Sequence, residues 1–408
     1  MSPKTTLLIG GGHTHVVMLR EWIKSGKPFG TVILISEGDY QYYSGMLPGM
    51  VSGFYEAEEC RISLSELCAQ AGVQFIKARA VQLDAAARGL VLHDGARITY
   101  DQISLDTGSK TRALKVVDAD EEFAHRSSSN VRSTKEGVLP VKPLALSFAK
   151  LADLNQTQAA NSLTVVGGGA AGVELALALK YRLKKLGDNR PVNLVVGKKL
   201  LSDQYQRVQT LANQALKQAG IVLYEGRAVI EAQSVDGAQG ELEPQQGRSS
   251  EVMGEAGQRR HFAGLVKLRV GAERITNTWV LSASGAAPPD WLSKSRLKLD
   301  QGFVAVDQFH RSISHPEVFA AGDVCARQDL TMARSGVHAV RAARALAHNL
   351  TSEDFVAYEP KKNSLYLLSL GAREAIFSYG ALSFRGRWVW RLKDWIDRRF
   401  IDKGSCGV

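Results

Sequence analysis

Leu163-Thr164-Val165-Val166-Gly167-Gly168-Gly169-Ala170-Ala171-Gly172-Val173-Glu174 is the stretch from which the rest of the chain can be read. Four residues of apolar and β-branched character run into a glycine turn, and a helical pattern follows from Val173 to Leu186. Gly167, Gly169 and Gly172 fill all three positions of G-x-G-x-x-G, in the strand–turn–helix setting that the fingerprint requires. Each glycine has a physical reason: a tight turn, close approach of backbone to a pyrophosphate, and close packing of helix on strand. The N–H groups of the turn and the positive end of the helix dipole then face the phosphates. Gly168 and Ala170 lie in the same turn. The next strand, Val192 to Val196, ends in Gly197-Lys198-Lys199. It carries no acid for ribose hydroxyls, and basic residues suit a 2′-phosphate, so Lys198 makes NADPH at least as good a ligand as NADH. Gly285, in Ser284-Gly285-Ala286-Ala287-Pro288-Pro289, closes this unit.

A second, less complete copy stands at the start of the chain. Leu7-Leu8-Ile9 runs into Gly10-Gly11-Gly12-His13-Thr14-His15, and a helix is expected from Val16 to Lys24. His15 holds the place of the third glycine, so alone this turn is a weak signal. The strand Thr31 to Ser36 ends at Glu37, a little over ~20 residues on, where an acid can accept hydrogen bonds from ribose hydroxyls. Tyr42-Tyr43-Ser44-Gly45-Met46-Leu47-Pro48-Gly49 reads as a structured loop, either closing over a planar ring or simply packing its tyrosines. Ile62 to Ala71 is helical in pattern. Val73–Ile76, Ala80–Leu83, Leu90–Leu92 and Arg97–Asp101 read as strands, the last pair joined by an Asp94-Gly95 turn. Ile103 to Ser109 is a buried strand ending in Thr107-Gly108.

The polar residues 118–136 and the Gly/Gln/Glu/Ser-rich residues 234–258 read as surface segments. Downstream, Val318 to Ala321 runs into Gly322-Asp323, whose acid can hold a polyhydroxyl chain. A helix is expected over Ala333–Leu350, with Ser335-Gly336-Val337 at its first turn. The terminal helix, Trp388 to Ile401, places Trp388, Leu392, Trp395, Ile396 and Phe400 on one face. That stripe either meets a membrane interface or docks on the protein body.

Composition bounds the rest. The chain has 408 residues, 45% hydrophobic and 23% charged, enough for two or three domains. A net charge of +10 fits an anionic cofactor or membrane surface, and no nucleic-acid motif accompanies it. No apolar run is long enough to span a bilayer and no leader pattern opens the chain. Cys60, Cys68, Cys325 and Cys406 have neither C-x-x-C nor zinc spacing, so no metal site is expected. They suggest a reducing, cytoplasmic setting.

Two nucleotide turns in this order, a later Gly-Asp turn and a C-terminal tail resemble the pyridine nucleotide-disulfide oxidoreductase superfamily, most of all its type II NADH dehydrogenase-like branch. Gly10 to His15, Ser44 to Gly49, Pro140-Val141-Lys142-Pro143 and Trp388 to Phe400 resemble, more narrowly, the oxidoreductases found fused to selenophosphate synthetase. The resemblance implies an α/β fold of two Rossmann-like domains. An NAD(P)H domain (137–289) would be inserted in an FAD domain (1–117 and 290–360), with a C-terminal segment (361–408). It implies FAD held by Gly10, Gly11, Gly12, His13, Thr14, Glu37, Ser44, Gly45, Val81, Thr107, Gly108, Gly322 and Asp323. NAD(P)H would be held by Gly167, Gly168, Gly169, Ala170, Gly172, Lys198 and Gly285. Glu174, Lys142, Gly336 and Val337 would stand at the reacting ring. The implied activity takes hydride from NAD(P)H to FAD and passes electrons to a quinone or other small acceptor, and it allows a homodimer and a peripheral membrane contact. The C-x4-C pair of the disulfide-reducing branch is missing from Tyr42 to Leu47. Two other readings follow from the residues: a nucleotide-binding regulator with a degenerate NAD site, and a sulfide- or selenium-handling flavoenzyme using Cys60 or Cys325.

Overall fold

The structure, a computed structural model, describes residues 4–114, 138–226, 229–234, 265–361 and 363–405. The polar segment 118–136, almost all of 234–258, and Cys406 lie outside them.

Five parallel strands form the first sheet, in the spatial order Val318–Ala320, Gln102–Leu105, Lys4–Ile9, Gly30–Ser36, Gln74–Lys77. A parallel sheet must be covered on both faces, and side chains alternate to meet both covers. Leu7, Ile9 and Leu105 pack with Leu83, Leu90 and Leu92 of a three-stranded antiparallel layer. Leu8 and Leu34 pack on the other side with Val16, Leu19 and Trp22 of α1 (His13–Ser25). The edge strand Val318–Ala320 comes from far downstream, so the first unit is completed only after the chain has left it and returned.

The excursion builds a second sheet. Val222–Glu225, Val192–Val196, Ser162–Val166 and Glu273–Ser282 lie side by side and parallel, with Val138–Pro140 also on Glu273–Ser282. An antiparallel extension, Val266–Val270 and then Val229–Ser234, completes it. The fold is therefore α/β, two Rossmann-like units with the second inserted in the first. In both, the glycine turn leaves the C-terminal end of a central strand, where open α/β sheets bind their ligands.

Short helices fill the space between. They are α2 (Leu47–Val51), α3 (Leu64–Gln70), α4 (Leu144–Leu151), α5 (Ala170–Lys185), α6 (Gln206–Gln218) and α7 (Gly336–Asn349). The tail is an antiparallel sheet of Tyr366–Ser369, Ala375–Tyr379 and Leu382–Gly386, followed by α8 (Arg387–Ser405).

Three expectations need correction. Tyr42–Gly49 is not all loop: Ser44–Met46 makes a 3-10 turn and α2 starts at Leu47, with Pro48 in its first turn, where a missing N–H costs nothing. The helix expected from Ile62 begins at Leu64, because Arg61–Ser63 pairs with Tyr40–Tyr42 and Ser63 Oγ accepts the Glu66 N–H. The expected stripe of α8 is divided. Val389, Lys393, Asp397 and Ile401 face the body, while Trp388 and Trp395 are 53% and 57% exposed. The buried face carries an ion pair spaced i,i+4 and therefore looks polar in sequence.

Candidate active site

The two glycine turns are copies of one construction. Gly10 N–H donates to Ile35 O and Gly167 N–H to Val195 O, each tying the turn to the neighbouring strand. Both glycines have positive φ, +90° and +140°. A Cβ on Gly10 would meet the Asp106 carbonyl, and one on Gly167 the Ala283 carbonyl. Asp106 and Ala283 thus hold equivalent places, and their N–H groups bond to Ile9 O and Val166 O. The N-caps of α1 and α5, Gly12 and Gly169, offer no side-chain cap, so neither cap residue itself occupies the first-turn N–H groups that a ligand would use. Nothing lies within 4 Å of a Cβ built on Gly169. The two cradles fit pyrophosphates.

The copies differ at the third position. At Gly172 a Cβ would run into the Gly167 carbonyl, so only glycine fits. His15, the equivalent residue, is fully buried, and its ring fills the space below the loop. Nδ1 lies 2.7 Å from Gly10 O and Nε2 2.8 Å from Ser104 Oγ. A carbonyl only accepts, so Nδ1 carries the proton and Nε2 accepts from the Ser104 hydroxyl. Burial holds the ring neutral, with its pKa pushed down to about 4. His15 is a key between turn and sheet, not a defect in the motif.

They differ again at Asp106. Its buried carboxylate accepts the His15 N–H at 2.9 Å and the Thr14 N–H. It also fills the space that a Cβ on Gly12 or Gly322 would need. Burial pushes it up to about 7, and neighbouring Asp323 pushes the same way.

Asp323 does not stand alone. Lys142 Nζ donates to Asp323 Oδ2 at 2.5 Å and to Ser109 Oγ at 2.7 Å, and the Lys142 N–H donates to Thr111 Oγ1. Lys142 follows the strand Val138–Pro140 of the second sheet, so this pair ties the two units across the cleft. Beside it, a Cβ on Gly336 would be 3.8 Å from the His13 ring, which brings the first turns of α1 and α7 together. The His13 ring, held neutral by burial with its pKa down to about 4, stacks on Phe400 of α8 at 5.9 Å, and Tyr43 stacks on Phe400 at 4.5 Å.

On the far side of Ser44 and Gly45 lies a second charged group. Lys393 Nζ donates to Gly45 O at 2.7 Å and to Asp397 Oδ2 at 2.6 Å, and the Tyr43 hydroxyl donates to Asp397. Glu174 Oε1 accepts the Ser369 N–H at 2.7 Å. Burial pushes Glu174 up to about 7 against the pull of Lys393. Of the remaining candidates, Glu37 past its strand, Val81, Thr107 and Lys198 are exposed, while Gly108 and Val337 are half-buried. Gly285, at φ +102°, accepts the Arg112 N–H.

Asp106, Lys393 and Asp397 were not singled out from sequence. Asp106 precedes Thr-Gly at a strand end, the one signal it offers; the other two lie off the apolar stripe of the terminal helix. Cys60, Cys68 and Cys325 are buried, and burial pushes each thiol up to about 12. Among the described residues there is no cluster that could hold a metal ion.

Comparison with known proteins agrees with this construction. The profile of the pyridine nucleotide-disulphide oxidoreductase family matches residues 4–347. Ferroptosis suppressor protein 1 of Xenopus tropicalis is 23% identical over 91% of this chain and 87% of its own length. The alternative NAD(P)H-ubiquinone oxidoreductase C1 of Arabidopsis thaliana is 24% identical over 80% of this chain, which spans 62% of that protein. Among solved structures, the sulfide:quinone oxidoreductase of Aquifex aeolicus superposes with a TM-score of 0.71, at 17% identity, over 98% of this chain and 91% of its own. The water-forming NADH oxidase of Lactobacillus brevis, solved with NADH, gives 0.68 at 19% identity over 92% and 75%. With two glycine turns of one construction, the Lys142–Asp323 pair between their units and a family match over most of its length, the chain belongs to the pyridine nucleotide-disulphide oxidoreductase family, FAD-dependent oxidoreductases that use NAD(P)H.

Proposed function

We propose that this chain takes hydride from NAD(P)H, with NADPH at least as good a donor as NADH, and delivers electrons to a quinone or other small acceptor. The observation that carries the reading is the Lys142–Asp323 bridge, which joins the Gly10 unit to the Gly167 unit at one cleft. Residues 1–117 and 290–360 would form the FAD unit, 137–289 the NAD(P)H unit and 361–408 the interface segment. Bound FAD would supply the two-electron relay between the nucleotide and the acceptor. Gly10, Gly11, Gly12, His13 and Thr14 would hold its pyrophosphate, Glu37 its ribose, and Asp323 its polyhydroxyl chain. The N terminus of α7 at Gly336 and Val337, together with Lys142, would favour negative charge on the reduced ring. Glu174, poised near neutrality, can hold the proton that a quinone must gain along with electrons.

Two exposed lysines at the end of Val192–Val196 support NADPH as donor. Glu225, the nearby acid, is engaged on the Leu200 N–H at 2.7 Å. Exposed Trp388 and Trp395, with Leu382 at 64% and the exposed Arg387, Arg391 and Arg399 around them, support a membrane surface as the place where acceptor is met. No helix among the described residues is long and apolar enough to cross a membrane. The thiol alternative gains no support, since thiols pushed up to about 12 are not nucleophiles at neutral pH. The degenerate-site alternative gains none either, since the Gly167 cradle keeps every glycine that its geometry demands.

Anaerobic rapid mixing tests the proposal. NADPH should bleach the visible flavin band within a turnover, and a short-chain quinone should restore it. A band that neither NADPH nor NADH bleaches would refute it.

A further inference from the structure

The internal duplication offers a comparison that needs no second protein. At the Gly167 turn, the residue beneath the N terminus is Ala283, whose side chain carries no charge to compete for the first-turn N–H groups of α5. At the Gly10 turn the same place holds Asp106, whose carboxylate already accepts the N–H groups of Thr14 and His15. Those two groups belong to the set of helix N-terminal donors that attracts phosphate. Asp106 is 3% exposed, and among the described residues no cation pairs with it. Facing it are Asp323 from the Gly-Asp turn, whose charge is shared with Lys142, and the Cys325 thiol from the following strand. From α1 come the Thr14 hydroxyl and the His15 backbone, while the neutral His15 ring points away toward Gly10 O and Ser104. A dianionic pyrophosphate arriving on this helix end would meet a buried carboxylate of the same sign with nothing to offset it.

We propose that FAD binds this chain only with Asp106 protonated, so that binding takes up one proton, onto Asp106, wherever the free carboxyl is ionised. The protonated carboxyl keeps an acceptor oxygen for the α1 N–H groups, removes the like charge, and leaves the helix dipole to the phosphates. Other groups near the cleft do not provide this. His13 and His15 are neutral across the whole range above about pH 5 because burial holds them at about 4. Glu174 lies on α5, bonded to Ser369 in the tail. The free carboxyl of Asp106 loses its proton through about pH 7. FAD affinity should therefore be flat below that point and weaken about tenfold per pH unit above it, the slope for one linked proton. The NAD(P)H cradle, with Ala283, carries no such dependence.

The test uses the full-length chain, stripped of FAD and titrated back by flavin fluorescence from pH 6 to pH 9. Calorimetry at pH 8, in two buffers of different ionisation enthalpy, counts the protons. Wild type should take up close to one proton per FAD at pH 8 and show the tenfold slope. D106N, and D106A as the variant that copies the Ala283 site, should bind FAD with a flat profile and no uptake. Release of FAD from the intact wild-type holoprotein on dilution should quicken over the same interval, which gives a readout free of any variant. FAD binding by wild type with no proton uptake at pH 8 would overturn the proposal, as would the same uptake in D106N. A chain that binds no FAD at any pH would overturn the cofactor assignment on which the proposal rests, and the proposal with it.

Discussion

Replacing His15 with alanine tests whether the imperfect glycine turn is in fact complete. The ring is fully buried and makes two short hydrogen bonds, at 2.7 Å to Gly10 O and 2.8 Å to Ser104 Oγ. Each bond contributes about 1 kcal/mol net, and stranding a buried partner costs about 1–3 kcal/mol more. Two bonds lost and two partners stranded amount to about 4–8 kcal/mol before the ring-sized void is counted, a large part of the ~5–15 kcal/mol that a native protein has in hand. Because the turn that loosens is the one that cradles FAD, the variant should also shed flavin on gel filtration where wild type keeps it. Denaturant unfolding of H15A, S104A and the double variant forms a cycle, and a coupling of about 1 kcal/mol or more is expected between contacting residues. The sign of the pH effect follows from the depressed pKa. The folded ring stays neutral down to about pH 4, whereas the unfolded one takes a proton near 6.5. Its contribution is thus full above about 6.5 and is lost as pH falls toward 4. His13 and His310 are depressed in the same way, so H15A should lessen this acid sensitivity rather than abolish it. An H15A chain within about 0.5 kcal/mol of wild type, with FAD retained, would refute the reasoning.

Three further outcomes are expected. Replacing Lys198 and Lys199 with alanine should raise the KM for NADPH about tenfold and leave that for NADH nearly unchanged, the difference reading the loss of charge beside the 2′-phosphate. Trp388→Ser with Trp395→Ser should abolish co-sedimentation with anionic lipid vesicles and leave bleaching by NADPH intact, since both side chains are more than half exposed and Trp388 stacks on the tail sheet, at Phe384. With Glu174 near 7, electron delivery to a quinone should slow as pH rises through about 7. Glu174→Gln should be slower throughout and lose that inflection.

What could be read in sequence was what is local. Both turns, the strands leading into them and the Gly-Asp turn announce themselves within a dozen residues, because glycine geometry and apolar runs are short-range facts. His15 could be noticed but not explained, since its partner Ser104 belongs to a strand adjacent only in space. Asp106 has the same difficulty, as its burial depends on Gly12 and Gly322 from two distant turns. On α8 the helical pattern was right and the buried side was not. Lys393 and Asp397 lie off the expected stripe, yet each is buried with partners on the Tyr43–Gly45 segment. Buried ion pairs defeat hydrophobic periodicity for that physical reason: their partners, not their polarity, decide their place.

The central claim is a division of labour, with the Gly10 turn for FAD and the Gly167 turn for NAD(P)H. Gly172→Ala tests it most directly, because the added Cβ strikes the Gly167 carbonyl and disturbs that turn alone. The measurement is flavin content and NADPH bleaching on the same purified sample. The account predicts a yellow protein with FAD near one per chain that neither NADPH nor NADH bleaches at the wild-type rate. A G172A chain that loses its FAD, or that is bleached as fast as wild type, would contradict it.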